Sequence, residues 1–153
     1  MKLQQQQLNT STTLYRSGEA IVTGAVVVDI VSGEFAPVEA MPYFSCEKTD
    51  EGIVLRCRLA EQDGVYGLGQ QMGGLNKRGQ QYHLYNIDEG PHMPLQKAMY
   101  GSHPFFFVKG EQHFGVFLDY PSKMTFDVGF SRHNMLEITL PTADFDLYLF
   151  EAE

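Results

Sequence analysis

Alternation with a period of two runs through almost every apolar segment of this 153-residue chain. Leu136, Ile138 and Leu140 are spaced by Glu137 and Thr139. Phe145, Leu147 and Leu149 share one face, with Asp144, Asp146 and Tyr148 on the other, and Ile53, Leu55, Cys57 and Leu59 alternate with Val54, Arg56 and Arg58. Successive side chains of an extended chain point to opposite faces, so each segment reads as a half-buried antiparallel strand. Further strands are predicted over residues 20–30, 43–48, 81–85, 104–109, 113–120, 123–128 and 135–140. Turn-forming clusters part them at residues 49–52, 109–112, 121–122 and 131–134. No stretch longer than about ten residues sustains a helical 3.6 period. Many short strands, regular turns and an aromatic content of 12% predict an all-β fold, an antiparallel β-sandwich. The glutamine run near the N-terminus is expected to fray.

One stretch breaks the rhythm. Residues 67–100 contain Gly67-Leu-Gly-Gln-Gln-Met-Gly-Gly-Leu-Asn-Lys-Arg-Gly79, a short strand, and then the polar run from Asn86 to Tyr100. Long loops without secondary structure of their own are uncommon in compact domains and tend to carry function.

Composition narrows the function classes. The length suits one domain, 1–153, with a real core. The formal net charge is −8, its acidic residues scattered, and there is no basic stripe, which argues against nucleic acid or an anionic membrane as partner. The opening residues lack the apolar core of a signal peptide, and the longest apolar run, Gly24 to Val28, is far too short to span a bilayer, so a cytoplasmic protein is expected. A sequon at Asn9-Thr-Ser11 carries no meaning in that compartment.

The chemistry on offer is thin. If residues 49–52 form a hairpin turn, Cys46 falls opposite Leu55 and Phe44 opposite Cys57, which makes both cysteines small buried hydrophobes, reduced and unreactive. The five histidines show no His-x-x-x-His or Cys-x-x-Cys spacing, so no metal site is expected, and no cofactor. The pairs Gly67-x-Gly69 and Gly73-Gly74 are not followed by Lys-Ser/Thr or by a predicted helix, so they make a weak phosphate signal. Glycoside hydrolysis with retention needs two carboxyl groups about 5–5.5 Å apart. Asp88 and Glu89 are adjacent and would diverge in an extended loop, while Asp144 and Asp146 fit a solvated strand face. The chain has no Trp, the usual sugar-stacking platform. The residues alone thus yield a β-sandwich with one unusual polar loop.

Six motifs in order carry a resemblance: Val65-Tyr-Gly-Leu-Gly69, Leu75-Asn-Lys-Arg-Gly79, Leu84-Tyr-Asn-Ile-Asp88, Tyr100-Gly-Ser-His-Pro-Phe-Phe-Phe107, Phe114-Gly-Val-Phe-Leu-Asp119 and Asp146-Leu-Tyr-Leu-Phe-Glu151. From about Tyr43 onward the chain resembles the N-terminal domain of glycoside hydrolase family 31, the α-glucosidases and α-xylosidases; residues 1–40 hold nothing diagnostic. Gln70 stands where that family commonly has Glu, a difference attributed to local turn hydrogen bonding. The resemblance implies a galactose-mutarotase-like β-sandwich ahead of a C-terminal (β/α)₈ barrel that carries both catalytic aspartates. It implies a parent enzyme that hydrolyses α-glucosidic bonds with retention, through a covalent glycosyl-enzyme. The family's nucleophile motif contains Trp, so no catalytic residue is expected in this chain, which reads as a domain of a larger enzyme and is inactive by itself. Residues 67–100 would be the substrate-side region, and Asp88 the residue that reaches over the barrel mouth to bind an α-glucoside or oligosaccharide. Two other readings stay open. A free-standing carbohydrate-binding module would show a flat row of exposed aromatics on one sheet face. A mutarotase-like isomerase would need a His and a carboxylate converging in a cleft.

Overall fold

The computed structural model describes residues 2–25, 33–88, 90, 92–94 and 96–151. The strands are β1 (Leu3–Asn9), β2 (Thr12–Ser17), β3 (Ala36–Pro37), β4 (Phe44–Thr49), β5 (Gly52–Arg58) and β6 (Gly64–Gly69), then β7 (Gln80–Leu84), β8 (Ser102–Lys109), β9 (His113–Asp119), β10 (Met124–Val128), β11 (Met135–Leu140) and β12 (Phe145–Glu151). They form a seven-stranded sheet, β3-β1-β2-β12-β9-β8-β6, and a five-stranded sheet, β4-β5-β11-β10-β7. Every pairing is antiparallel, and no helix occurs among the described residues. The expected all-β sandwich is what the chain forms.

The period-two faces meet between the sheets. Val65, Phe106, Val116, Leu118, Phe145 and Leu147 come from the larger sheet, and Ile53, Leu55, Phe126, Val128, Leu136 and Ile138 from the smaller; all are buried. Phe106 and Phe126 meet edge to face across the gap, their ring centroids 5.8 Å apart. Burying one such side chain is worth about 1.5–3 kcal/mol, so this layer, rather than any turn, holds the sandwich together.

Two expectations near the N-terminus fail. The glutamine run does not fray: it lies in β1, paired with β2 from Leu3↔Ser17 to Gln7↔Thr13. Leu3 and Leu8 supply its burial, while Gln7 accepts a bond from the Thr13 hydroxyl at 3.0 Å and Gln6 donates to the Gly33 carbonyl at 2.5 Å. Glutamine side chains thus act as cross-strand links, which an apolar pattern cannot reveal. Conversely, residues 20–25 of the strand predicted over 20–30 are not extended in a sheet, and 26–30 lie outside the described residues. There the Thr23 hydroxyl bonds the Asp119 carboxylate at 2.8 Å and tethers the segment through a side chain.

The β4–β5 register is the expected one, with Phe44 opposite Cys57 and Cys46 opposite Leu55. Cys57 is fully buried, and burial, helped by the Asp63 charge, pushes its thiol up to about 12. Cys46 is only half-buried, because β4 is the edge strand; burial still raises its thiol to about 11. The thiolate is the reactive form, so native protein at pH 8 is expected to react far more slowly than free cysteine with an aromatic disulfide reagent. Cys57 should wait for unfolding. Rapid labelling of Cys57 in native protein would contradict this burial.

Candidate functional site

The unusual stretch begins as strand. β6 ends in a bulge against β8 between Gly67 and Gly69, where Gly67, Leu68 and Gly69 take φ values of +119°, +67° and +74°. A Cβ on Gly67 would stand 2.5 Å from the Phe105 carbonyl oxygen, so glycine is required there. Leu68 bears a left-handed conformation that costs roughly 1–2 kcal/mol, and its complete burial offsets this.

Past the bulge, the Leu75–Gly79 motif does structural work. Asn76 Oδ1 accepts the Val65 and Arg78 N–H groups, each at 3.1 Å. Lys77 is buried, donates to the Gly74 carbonyl at 3.0 Å, and has its pKa lowered by that burial. The Arg78 guanidinium donates to the carbonyls of Ala60, Glu61, Asp63 and His133. Asp63 in turn accepts from the N–H groups of Ala60, Glu111 and Gln112 and from the Gln112 amide. Desolvation raises the Asp63 pKa, and these bonds outweigh it and leave it lowered. Together Asp63 and Arg78 tie three turns into one rigid end.

After Leu84 the chain runs out and returns beside itself. His83 donates to the Lys97 carbonyl at 2.7 Å, Ile87 to Met99 at 3.1 Å, and Gln70 to Gly101 at 2.8 Å. Asn86 Oδ1 accepts the Ser102 N–H at 2.8 Å. Asp88 projects from this braced limb and is exposed to solvent. Its neighbour in space is Tyr100, whose pKa is raised by desolvation first and then by the charge of Asp88 and hydrogen bonding to it. The His92 ring meets Tyr100 edge-on at 5.3 Å. Among the described residues no cation pairs with Asp88 and no backbone N–H donates to it. Glu89, expected to diverge from Asp88, lies outside the described residues.

Beneath this limb is a cleft of about 410 Å³, lined by Tyr85, Asn86, Ser102, Tyr120 and Ser122 with Leu84, Pro104, Pro121 and Met124. At another place Phe107, Phe150 and Gly115 form a shallow apolar depression of about 390 Å³ that His113 and Glu151 also line. Glu151 is engaged there by the Tyr43 hydroxyl at 2.9 Å, and no hydrogen bond joins it to His113.

Two features escaped the sequence. Asp146 was expected on a solvated face; instead its side chain is 1% exposed and receives Arg16 in a bidentate pair at 2.8 and 2.6 Å. Beside it on β9 stands buried Asp119, whose pKa is raised by desolvation and, less, by Asp146, against the lowering effect of Thr23. The outer face of the larger sheet also carries aromatics. One cross-strand row is Tyr66, Phe107, Gly115 and Phe150; the next is Phe105, Phe117 and Tyr148. Phe105 and Phe107 are 42% and 39% exposed, and Gly115 leaves room for the Phe105 ring to approach Phe150 at 6.0 Å.

Comparison with known proteins agrees with this geometry. The family profile described as glycosyl hydrolase 31 N-terminal galactose mutarotase-like domain matches residues 4–127. The α-glucosidase of Saccharolobus solfataricus is 29% identical over 100 residues, covering 65% of this chain and 14% of that protein. Alpha-glucosidase 2 of Bacillus thermoamyloliquefaciens is 41% identical over 72 residues, covering 45% of this chain and 9% of its own length. Among solved structures, the Flavobacterium johnsoniae GH31 dextranase, a mutant complexed with isomaltotriose, superposes with a TM-score of 0.76 at 18% identity over 97% of this chain and 23% of that one. The cycloalternan-forming enzyme of Listeria monocytogenes, in complex with a pentasaccharide substrate, gives 0.66 at 11% identity over 99% of this chain and 18% of that one. These last two likenesses concern the fold alone. The chain thus spans less than a quarter of the length of each relative.

Proposed function

This chain belongs to the family of glycosyl hydrolase 31 N-terminal galactose mutarotase-like domains, and from that premise we propose that it is the N-terminal domain of a retaining α-glucosidase. The parent hydrolyses terminal α-glucosidic bonds on a C-terminal (β/α)₈ barrel that supplies nucleophile and general acid/base; the 153-residue chain alone releases no glucose from maltose. Its contribution is Asp88, which accepts hydroxyl hydrogen bonds from the sugar at the barrel mouth and orients it for attack. One observation supports this: an exposed carboxylate, with no cation and no backbone donor among the described residues, stands beside Tyr100 on a limb braced by the His83–Lys97 and Ile87–Met99 bonds. A carboxylate that merely capped a turn would accept local N–H groups.

A charge-assisted bond to a sugar hydroxyl is worth roughly 1.5–3 kcal/mol. Asp88→Ala in the full-length enzyme should therefore lower kcat/KM about ten- to a hundredfold at an unchanged melting temperature, with Glu89→Ala nearly silent. Full activity in Asp88→Ala, or a loss that only tracks stability, makes the limb scaffolding.

The aromatic rows on the outer sheet face favour a second reading, a glucan-binding module. Such a face serves equally as ground for a second domain, so it weighs less than Asp88. The isomerase reading asks His113 and Glu151 to act together, and Tyr43 already occupies Glu151.

A further inference from the structure

We propose that the cleft beneath the Asp88 limb is a second sugar subsite, holding one ring of an α-glucan away from the ring that Asp88 engages; it presupposes the glycosidase reading. Three segments distant in sequence converge on it: Tyr85–Asn86 from the limb, Ser102 and Pro104 from β8, and Tyr120–Ser122 from the β9–β10 turn. Its volume of about 410 Å³ lies within the range of small-ligand pockets.

The lining selects the ligand class. No described residue that lines the cleft carries a formal charge, so an ion would lose hydration there without a described counter-charge to replace it. A purely apolar ligand would leave the polar groups unmatched. Ser102 Oγ is closed off in the wall with no partner among the described residues, so Ser102 shapes the cleft rather than offering a bond to what enters it. The Asn86 amide spends its oxygen on the Ser102 N–H, and among the described residues its two N–H donors meet no acceptor, which leaves them for a ligand. Ser122 adds an exposed hydroxyl at the opposite lip. Tyr85, 57% exposed, offers a ring face to the C–H side of a pyranose. Donors, hydroxyls and an aromatic face without charge suit a neutral polyhydroxylated ring.

The test is a titration of the 153-residue chain with isomaltotriose and, in parallel, maltotriose, followed by backbone NMR shifts. Binding in the millimolar range is expected, with shifts centred on Tyr85, Asn86, Ser102 and Ser122. Loss of the stacking face or of one hydrogen bond should weaken binding about three- to tenfold in Tyr85→Ala and Ser122→Ala. Ser122→Trp, which fills the cleft from an exposed turn, should abolish it. Phe107→Ala, on the outer sheet face and not in the cleft, should leave binding unchanged. The Asp88 proposal is read by activity of the full enzyme and the subsite by binding to this chain, so the two fail separately. Shifts centred on Phe105 and Phe107, binding unchanged in Ser122→Trp, or no shift up to about 50 mM trisaccharide would each overturn the subsite.

Discussion

Arg16→Ala is expected to destabilise the domain by about 3–5 kcal/mol, the cost of leaving a buried carboxylate without its partner. The Asp146 side chain is 1% exposed and bound through both oxygens, and Arg16 also lies over the Phe35 ring at 4.7 Å. Without the guanidinium, Asp146 would face only Asp119, its cross-strand neighbour, itself buried and already raised in pKa. Two buried carboxylates cannot both ionise cheaply, so in the variant Asp119, already raised, should be raised further by the uncompensated neighbour. The sign follows: a carboxylate pKa raised in the folded state penalises folding at neutral pH, and the penalty fades as pH falls toward the unfolded value. Urea unfolding should therefore show the full deficit at pH 7 and a smaller one near pH 4.5, with a melting point lowered by roughly 10 °C at neutral pH. Arg16→Met keeps the stem over Phe35 and should lose nearly as much, whereas Arg16→Met with Asp146→Leu should recover most of it. A loss below about 1 kcal/mol in Arg16→Ala would put the pair with ordinary surface salt bridges and refute this account.

Gly67→Ala should cost about 3 kcal/mol or more, because conformation and space both reject a side chain there. At φ +119° an L-residue has no comfortable well, and the added Cβ would meet the Phe105 oxygen at 2.5 Å and the Phe106 Cα at 2.9 Å, both backbone of the paired strand. The strand must separate or the bulge must unwind. Gly73 is the matched control, with φ +94° and no atom within 4 Å of its Cβ, so Gly73→Ala should cost only the conformational part, about 1 kcal/mol. Thermal melts of the two variants decide it, since equal losses would mean that the close approach to β8 does not matter. Gln70, just past the bulge, bonds Gly101 at the foot of the Asp88 limb, so Gly67→Ala in the full enzyme should also lower activity beyond its loss of stability.

Strand β11 was legible residue for residue, because Leu136, Ile138 and Leu140 alternate cleanly with polar neighbours and defined turns flank them. The β4–β5 register was legible for the same reason: with a period of two, one turn fixes every pair of the hairpin. Asp88 and Tyr100 each lie in one of the six motifs, yet that the two stand together, with His92 against Tyr100, was not legible, since the returning limb brings them there through contacts such as Ile87 to Met99 that no spacing rule predicts. Alternation assigns a residue to a face and is silent about what covers that face. Asp146 alternates correctly onto the outer side of β12, and it is buried because Arg16, 130 residues earlier in the chain, reaches across from β2. The chain's own pattern thus determined most strands after Tyr43, with their faces and local register, which are set by neighbours a few residues apart; β1, β2 and β6 lacked that signal. The burial of Asp146, the β1 position of the glutamines and the cleft shared by Tyr85, Ser102 and Ser122 were decided only by the tertiary fold, because each depends on segments that meet after the two sheets have closed on their core.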